Sequence, residues 1–265
     1  MQIGQFIGLL LVGMGTGVMA GLFGIGGGLV IVPVLCLAFG ITLQEANAVS
    51  LTALMLPVGI LGVIAYWRKG LADLRSAAWI ALALAAGSFG GAYLALGPLK
   101  QALMSVFIGF VVLMGLRMLE PWTWRQRHEP HSAAGTGSTP APAVVPLLGI
   151  GALAGVLAGL FGIGGGIVIV PALSLWQKFP HKRAVGTSLA VLLPPVTLPA
   201  VLKYHASGSL HLEWVIPVAA GLVLGSLLGA RLGIKVNEKM VKRGYGVFLL
   251  LMSALLVVRN LILAK

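Results

Sequence analysis

A chain of 265 residues with 58% hydrophobic and 9% charged residues and a mean hydropathy of +1.03 is not an ordinary soluble domain, which carries roughly 25% charged side chains; lipid is the solvent for most of it. The formal net charge of +12 does not point to nucleic acid, because the Lys and Arg occupy short polar gaps between apolar runs, where they act as topology signals and lipid-headgroup contacts. Cys36, the single cysteine, lies inside an apolar run and reads as packing, which excludes a disulfide framework and a thiolate metal cluster.

Apolar runs predict helices at 3–22, 28–40, 46–66, 75–97 and 101–119, then at 144–160, 166–177, 184–204, 212–233 and 241–263. The first run has no basic leader and no small-residue cleavage site, so it reads as part of the mature protein. Several runs approach the roughly 20 residues that span hydrocarbon, but 28–40 and 166–177 are too short. Each short run follows a Gly-Ile-Gly-Gly-Gly turn, so the first two runs of each half look like a broken helix or a re-entrant hairpin. Such backbone is tolerated at membrane depth only when protein shields it or it lines a wet cavity.

The turns belong to a duplication. Gly21–Leu35 reads GLFGIGGGLVIVPVL and Gly159–Leu173 reads GLFGIGGGIVIVPAL, an offset of 138 residues. The same offset matches Ser50 with Ser188, Pro57 with Pro195, Tyr66 with Tyr204, Gly70 with Gly208, and Gly87-Ser88 with Gly225-Ser226. Residues 1–120 and 147–265 are therefore read as two homologous repeats. The segment 121–146, polar and then rich in Pro, Ala, Gly and Ser, is read as a flexible linker. Within it His128 and His131 belong to a solvated stretch rather than a metal site.

Basic residues set the orientation, since retained cytoplasmic loops carry the Lys and Arg excess. In the first half they fall at Arg68, Lys69 and Arg75 and at Arg117, Arg125 and Arg127, with none in 41–46. In the second they fall at Lys178, Lys182 and Arg183 and across 231–243, while 203–211 holds only Lys203. Corresponding loops carry opposite bias. The expected fold is therefore an all-α polytopic membrane protein of two inverted repeats, each with a glycine-broken hairpin and three crossings, and with both chain ends outside. Eight simple spans would make the repeats parallel and leave the charge reversal unexplained.

Duplicated halves with their special segments facing each other are the build of many secondary transporters, whose site lies at the repeat interface. Gly26, Gly27 and Gly28 open the run that follows the first turn, and Gly164, Gly165 and Gly166 open its counterpart. A helix starting there presents unpaired N–H groups and a positive dipole end, which suits an anion with several oxygens. The alternative role of these glycines is close helix packing, the role assigned to Gly87, Gly91, Gly225 and Gly229. Pro57 and Pro195 should kink their helices near the depth of the turns and free the carbonyls of Ala53 and Val191. Ser50 and Ser188 are the best side-chain candidates for ligand contact, with Thr187, Asn47 and Thr52 beside them. A residue four places into a helix is only about 6 Å deep, so Ser50 is expected in an entry vestibule unless the preceding loop dips inward. No Asp or Glu lies deep in an apolar run, which leaves His205, His211 or the substrate's own proton as proton carriers. No Gly-x-Ser-x-Gly sequence or buried acid-base pair suggests an enzyme.

The doubled GLFGIGGG-x-V-I-V-P segment, the stretch Ala184-Val185-Gly186-Thr187-Ser188 and the proline-rich helix resemble the sulfite exporter TauE/SafE family, also called the 4-toluene sulfonate uptake permeases. The resemblance covers nearly the whole chain outside the linker. The first half departs from it with Ala48-Val49-Ser50, sharing only the serine. The resemblance implies a multi-pass permease of a prokaryotic inner (plasma) membrane that moves sulfite, sulfonates or another organosulfur acid. The reading carried forward is a secondary transporter for a small anion in a lipid bilayer, with no cofactor and no nucleic-acid partner, and with a homo-oligomer left open. A structural or assembly membrane protein is the alternative.

Overall fold

The computed structural model describes residues 3–95, 100–119, 143–206, 208 and 211–263. Among them are twelve helices and no strand. In chain order these are α1 (Ile3–Phe23), α2 (Gly28–Phe39), α3 (Leu43–Met55), α4 (Ile60–Trp67), α5 (Leu74–Ala95), α6 (Lys100–Leu119), α7 (Val144–Phe161), α8 (Gly166–Leu175), α9 (His181–Val191), α10 (Leu198–Ala206), α11 (Leu212–Lys235) and α12 (Glu238–Leu263). Four of them, α1, α5, α7 and α11, are long and apolar enough to cross a membrane, and α3 with α4 passes the same test when the two are taken together across a 47° bend. Most of the expected linker, with His128 and His131, lies outside the described residues. Its last residues, Val144 to Pro146, already belong to α7, where a first-turn proline forfeits no intrahelical bond.

The two long runs expected as kinked helices are instead broken. Pro57 forces its predecessor out of helical geometry: Leu56 has φ −70° and ψ 149° and ends α3. The chain resumes as α4 only at Ile60. In the second half Pro194 and Pro195 widen the gap, which runs from Leu192 to Thr197. Local signals place the other ends. Thr42 caps α3 in a reciprocal capping box with Glu45, and Gly40, left-handed at φ 67°, stops α2.

Packing is carried by glycine stripes. Gly13, Gly17 and Gly21 of α1 lie on Val218, Leu222 and Ser226 of α11, and Gly151, Gly155 and Gly159 of α7 lie on Ile80, Leu84 and Ser88 of α5. In each pair residue numbers rise together, so the helices run parallel with backbones in contact, as small residues permit. Gly87, Gly91, Gly225 and Gly229 complete the same seams, each meeting a backbone carbonyl of the neighbouring helix. Each of these contacts recurs in the other seam 138 residues away.

Other pairs run head to tail. Gly62 of α4 faces Leu189 of α9, and Tyr66 and Leu71 face Gly186, so α4 and α9 are antiparallel. Gly115 of α6 meets Leu250 and Gly246 meets Leu119, so α6 and α12 are antiparallel as well. Arg183 pairs with Asp73 at 2.8 Å, just past the end of α4, and Glu45 pairs with His211 at 3.2 Å, at the start of α3. The bent span α3–α4 therefore has one ion pair at each end. Gly21 stands level with Ser226 and Ala230, so α1 turns back before α11 ends at Lys235. The glycine turn is thus buried inside the bundle.

Candidate functional site

The site is built from the two turns that follow α1 and α7. Gly24, Gly26 and Gly27 have φ of 73°, 74° and 91°, and Gly162, Gly164 and Gly165 have φ of 72°, 73° and 80°. Left-handed backbone of this kind is open to glycine at little cost, which accounts for three of the glycines in each motif. Gly27 and Gly165 are the N-caps of α2 and α8. The first turn-closing bonds run from Val30 and Ile31 to the Gly27 carbonyl, and from Val168 and Ile169 to that of Gly165. The N–H groups of Gly28 and Leu29, and of Gly166 and Ile167, stand before those bonds and have no intrahelical partner.

Gly28 and Gly166 are needed for a different reason. An added Cβ on Gly28 would lie 2.8 Å from the Cα of Ile163, and one on Gly166 would lie 2.6 Å from the Cα of Ile25. Each helix start is therefore pressed against the turn of the other half. The two N-termini meet back to back at the interface between the halves, each in backbone contact with the other's turn. Leucines cover their flanks: a Cβ on Gly26 would meet Leu192 at 2.7 Å and one on Gly164 would meet Leu54 at 2.7 Å.

Ser50 and Ser188 are fully buried, and each serves the opposite half. Ser50 Oγ donates to the Gly162 carbonyl at 2.8 Å, and Ser188 Oγ donates to the Gly24 carbonyl at 2.6 Å. The vestibule expected for Ser50 is thus corrected: α3 begins at Leu43, three residues earlier than 46, and the turn of the other half reaches in to meet the serine. Tyr66 and Tyr204 extend the exchange within their own halves, donating to the Gly21 and Gly159 carbonyls at 3.2 Å each. Asn47, whose counterpart under the offset is Val185, lies against the second turn at Gly162. With its amide turned, Nδ2 donates to the Phe161 carbonyl at 3.0 Å and the Leu43 carbonyl at 3.3 Å.

The remaining expectations separate. Thr187 is buried and lies at the Asp73 end, where its Oγ1 accepts the Asp73 N–H at 3.0 Å. Thr52 bonds to its own helix at the Ala48 carbonyl, 2.7 Å away. Pro57 and Pro195 are exposed at the helix breaks, and their neighbours rather than their rings reach the interior. Val58 offers its carbonyl to Ser226 Oγ at 2.9 Å, and Val196 offers its own to Ser88 Oγ at 3.2 Å.

Beside Gly26 lies a small cavity of about 20 Å³, lined by Gly26, Leu54 and Gly59 from one half and Leu189, Leu192 and Ser226 from the other. It is apolar apart from backbone and one hydroxyl. Its counterpart position differs in one residue: Thr197 stands where the offset places Gly59, and Thr197 Oγ1 donates to the Leu51 carbonyl at 3.0 Å. Sequence reasoning missed Gly59, Thr197 and the two leucines. The matched Tyr66/Tyr204 and Ser88/Ser226 pairs were visible without a role. Among the described residues no three His, Cys, Asp or Glu side chains come together as a metal ion would need.

Residues 9–256 match the sulfite exporter TauE/SafE family. The chain is 31% identical over 252 residues to the probable membrane transporter protein YunE of Bacillus subtilis, covering 89% of this chain and 90% of that one. It is 28% identical over 244 residues to a probable membrane transporter protein of Methanocaldococcus jannaschii, covering 87% and 86%. With a probable membrane transporter protein of Xylella fastidiosa it shares 28% over 250 residues, 92% of each chain. No solved structure matches it. The chain belongs to the sulfite exporter TauE/SafE family and is a multi-pass membrane transporter.

Proposed function

We propose that this transporter carries a small oxyanion, either sulfite or a sulfonate or other organosulfur acid, by alternately exposing one site between two inverted halves in a prokaryotic inner membrane. The observation that carries the reading is the reciprocal seating of the two glycine turns, each capped by the other half's serine and each starting a short helix at the interface. Helix starts of this kind attract oxyanions, and discontinuous helices meeting at a repeat interface are where secondary transporters bind cargo. The antiparallel running of α4 against α9 and of α6 against α12 supports the inversion. So does the sharing of one face by the basic loops around Arg68 and Arg183, which the charge rule assigns to the cytoplasm.

In this arrangement Leu54 and Leu192 lie over Gly164 and Gly26. Transport then requires the broken spans α3–α4 and α9–α10 to rock and withdraw one leucine at a time, opening the N–H groups to one face. The helix breaks at Leu56–Gly59 and Leu192–Thr197 are the hinges for that movement. The close backbone contact of the turns favours a second reading, a structural membrane protein whose glycines only pack.

Flux of radiolabelled sulfite and of a small sulfonate into liposomes containing the purified protein separates the two, with sulfate, taurine and acetate as competitors. The expected result is saturable flux, abolished by Gly27→Leu and by Gly165→Leu. Flux equal to that of empty liposomes for every anion would overturn the cargo class. Flux that survives in both glycine variants would move the site elsewhere.

A further inference from the structure

The two interfacial ion pairs occupy equivalent positions. Under the 138-residue offset Glu45 corresponds to Arg183 and Asp73 to His211, so Arg183–Asp73 and Glu45–His211 are the same contact made twice between the halves, with the charges exchanged. Each carboxylate divides its oxygens in the same way. Asp73 Oδ1 accepts the Ser76 N–H at 3.0 Å at the start of α5, while Oδ2 takes Arg183. Glu45 Oε2 accepts the Thr42 N–H at 2.8 Å in the capping box of α3, while Oε1 faces His211. One oxygen fixes the carboxylate to its own helix and the other reaches across to the opposite half.

Because each pair joins a span of one half to a loop of the other at one end of α3–α4, breaking it is a condition for that end to open. The pairs differ in one chemical respect. Arginine is charged at every physiological pH, whereas a histidine ordinarily loses its charge between pH 5 and 8. We propose that Glu45–His211 is a proton-operated latch on one face of the transporter and that Arg183–Asp73 is its proton-insensitive counterpart on the other. Protonation of His211 binds the start of α3 to the start of α11 and holds that face closed, and loss of the proton releases it.

Glu45 and His211 are 28% and 44% exposed, so protons reach them from bulk water. Other charges stand near this end: α10, which packs on α3, brings Lys203 and His205 on either side of Tyr204, whose hydroxyl lies by Asn47, and the Glu45→Gln control below separates their titration from that of the pair. α11 packs on α1, which has no charged residue, on α3, whose one charged residue is Glu45, and on α4, whose only titratable group, Tyr66, lies at the opposite end. α2 touches α11 through Phe39 on Trp214 and contributes only Cys36 as a titratable group, and α11 itself adds Glu213. The sign follows directly. An imidazolium attracts the carboxylate and a neutral imidazole does not, so the contact is strong at low pH and weak at high pH.

The latch rests on the two-faced transporter reading, and its test is chosen to need no cargo. In a Cys36→Ala background, Gln44→Cys and Leu212→Cys carry spin labels on the two sides of the latch, and their separation is measured in liposomes from pH 5 to pH 8. Short separations should predominate at pH 5, with the ratio of short to long falling about two- to five-fold by pH 8, the range an exposed ion pair supports. His211→Arg should hold the short separation throughout. Glu45→Gln keeps the capping box and should show the pH 8 ratio at both ends of the range. A separation that ignores pH in the parent protein, or one that still shifts with pH in Glu45→Gln, would overturn the latch. Absent anion flux with an intact pH response would instead count against the cargo and leave the latch standing.

Discussion

Gly28→Ala isolates the contact between the halves from every other role of the glycine motif. Gly28 is helical rather than left-handed, so the backbone accepts alanine, and helix propensity alone would favour the change by about 1 kcal/mol. The obstacle is spatial: the new methyl would lie 2.8 Å from the Cα and 2.9 Å from the carbonyl carbon of Ile163. Carbon atoms rest at about 3.5–4.0 Å, so one turn must retreat from the other by about 1 Å. Overpacking of this kind costs about 1–3 kcal/mol, and the atoms that must yield are backbone. Gly15 and Gly90 are helical positions with nothing within 4 Å of an added Cβ. Thermal unfolding in detergent should therefore separate Gly28→Ala, destabilised, from Gly15→Ala and Gly90→Ala, unchanged or slightly stabilised. Gly166→Ala should match Gly28→Ala. The double variant should cost less than the sum, because one retreat relieves both clashes. If Gly28→Ala proves as stable as Gly15→Ala, the turns do not bear on each other and the interface is misassigned.

Ser50→Ala and Ser188→Ala each strip a hydroxyl from a buried carbonyl of the opposite turn, and each should lower stability by about 1–3 kcal/mol. Thr52→Ala, which removes only a bond within its own helix, should cost clearly less in the same unfolding assay; equal costs would deny the serines their cross-half role. Gly59→Thr should copy Thr197 and fill the cavity. An added Cβ there has nothing nearer than Leu189 at 4.0 Å, so stability should change by no more than about 0.5 kcal/mol while liposome flux is largely lost. Undiminished flux would take the cavity off the transport path.

The duplication was legible in the sequence because its residues are constrained by geometry that no other residue satisfies. Positive φ at Gly24, Gly26 and Gly27, and backbone contact at Gly28, kept the second copy identical at every glycine. The prolines were legible as interruptions, but whether a proline kinks or breaks a helix depends on its predecessor. Leu56 went extended, the bias of a residue before proline, and the helix ended there instead of bending through. Ser50 was placed too shallow because α3 starts at Leu43, where Thr42 and Glu45 cap it. The ion pairs were invisible for a different reason. The offset aligns Glu45 with Arg183 and Asp73 with His211, so a search for identical residues passes over both, and the relation emerges only when each acid is seen beside the base of the other half. Gly59 and Thr197 escaped likewise, as an unlike pair.

The exchanged serines also bear on how the chain enters the membrane. The Gly24 carbonyl waits for Ser188, 164 residues later, and Ser50 waits for the Gly162 carbonyl, 112 residues later. At synthesis rates of about 5–20 residues per second, the first half resides at the translocon for on the order of ten to thirty seconds with its turn uncapped. Through that interval its polar groups depend on water, lipid headgroups or an insertion factor. Assembly is completed only when the second half arrives, so a chain cut short there leaves behind a first half with open backbone bonds, a substrate for membrane proteases.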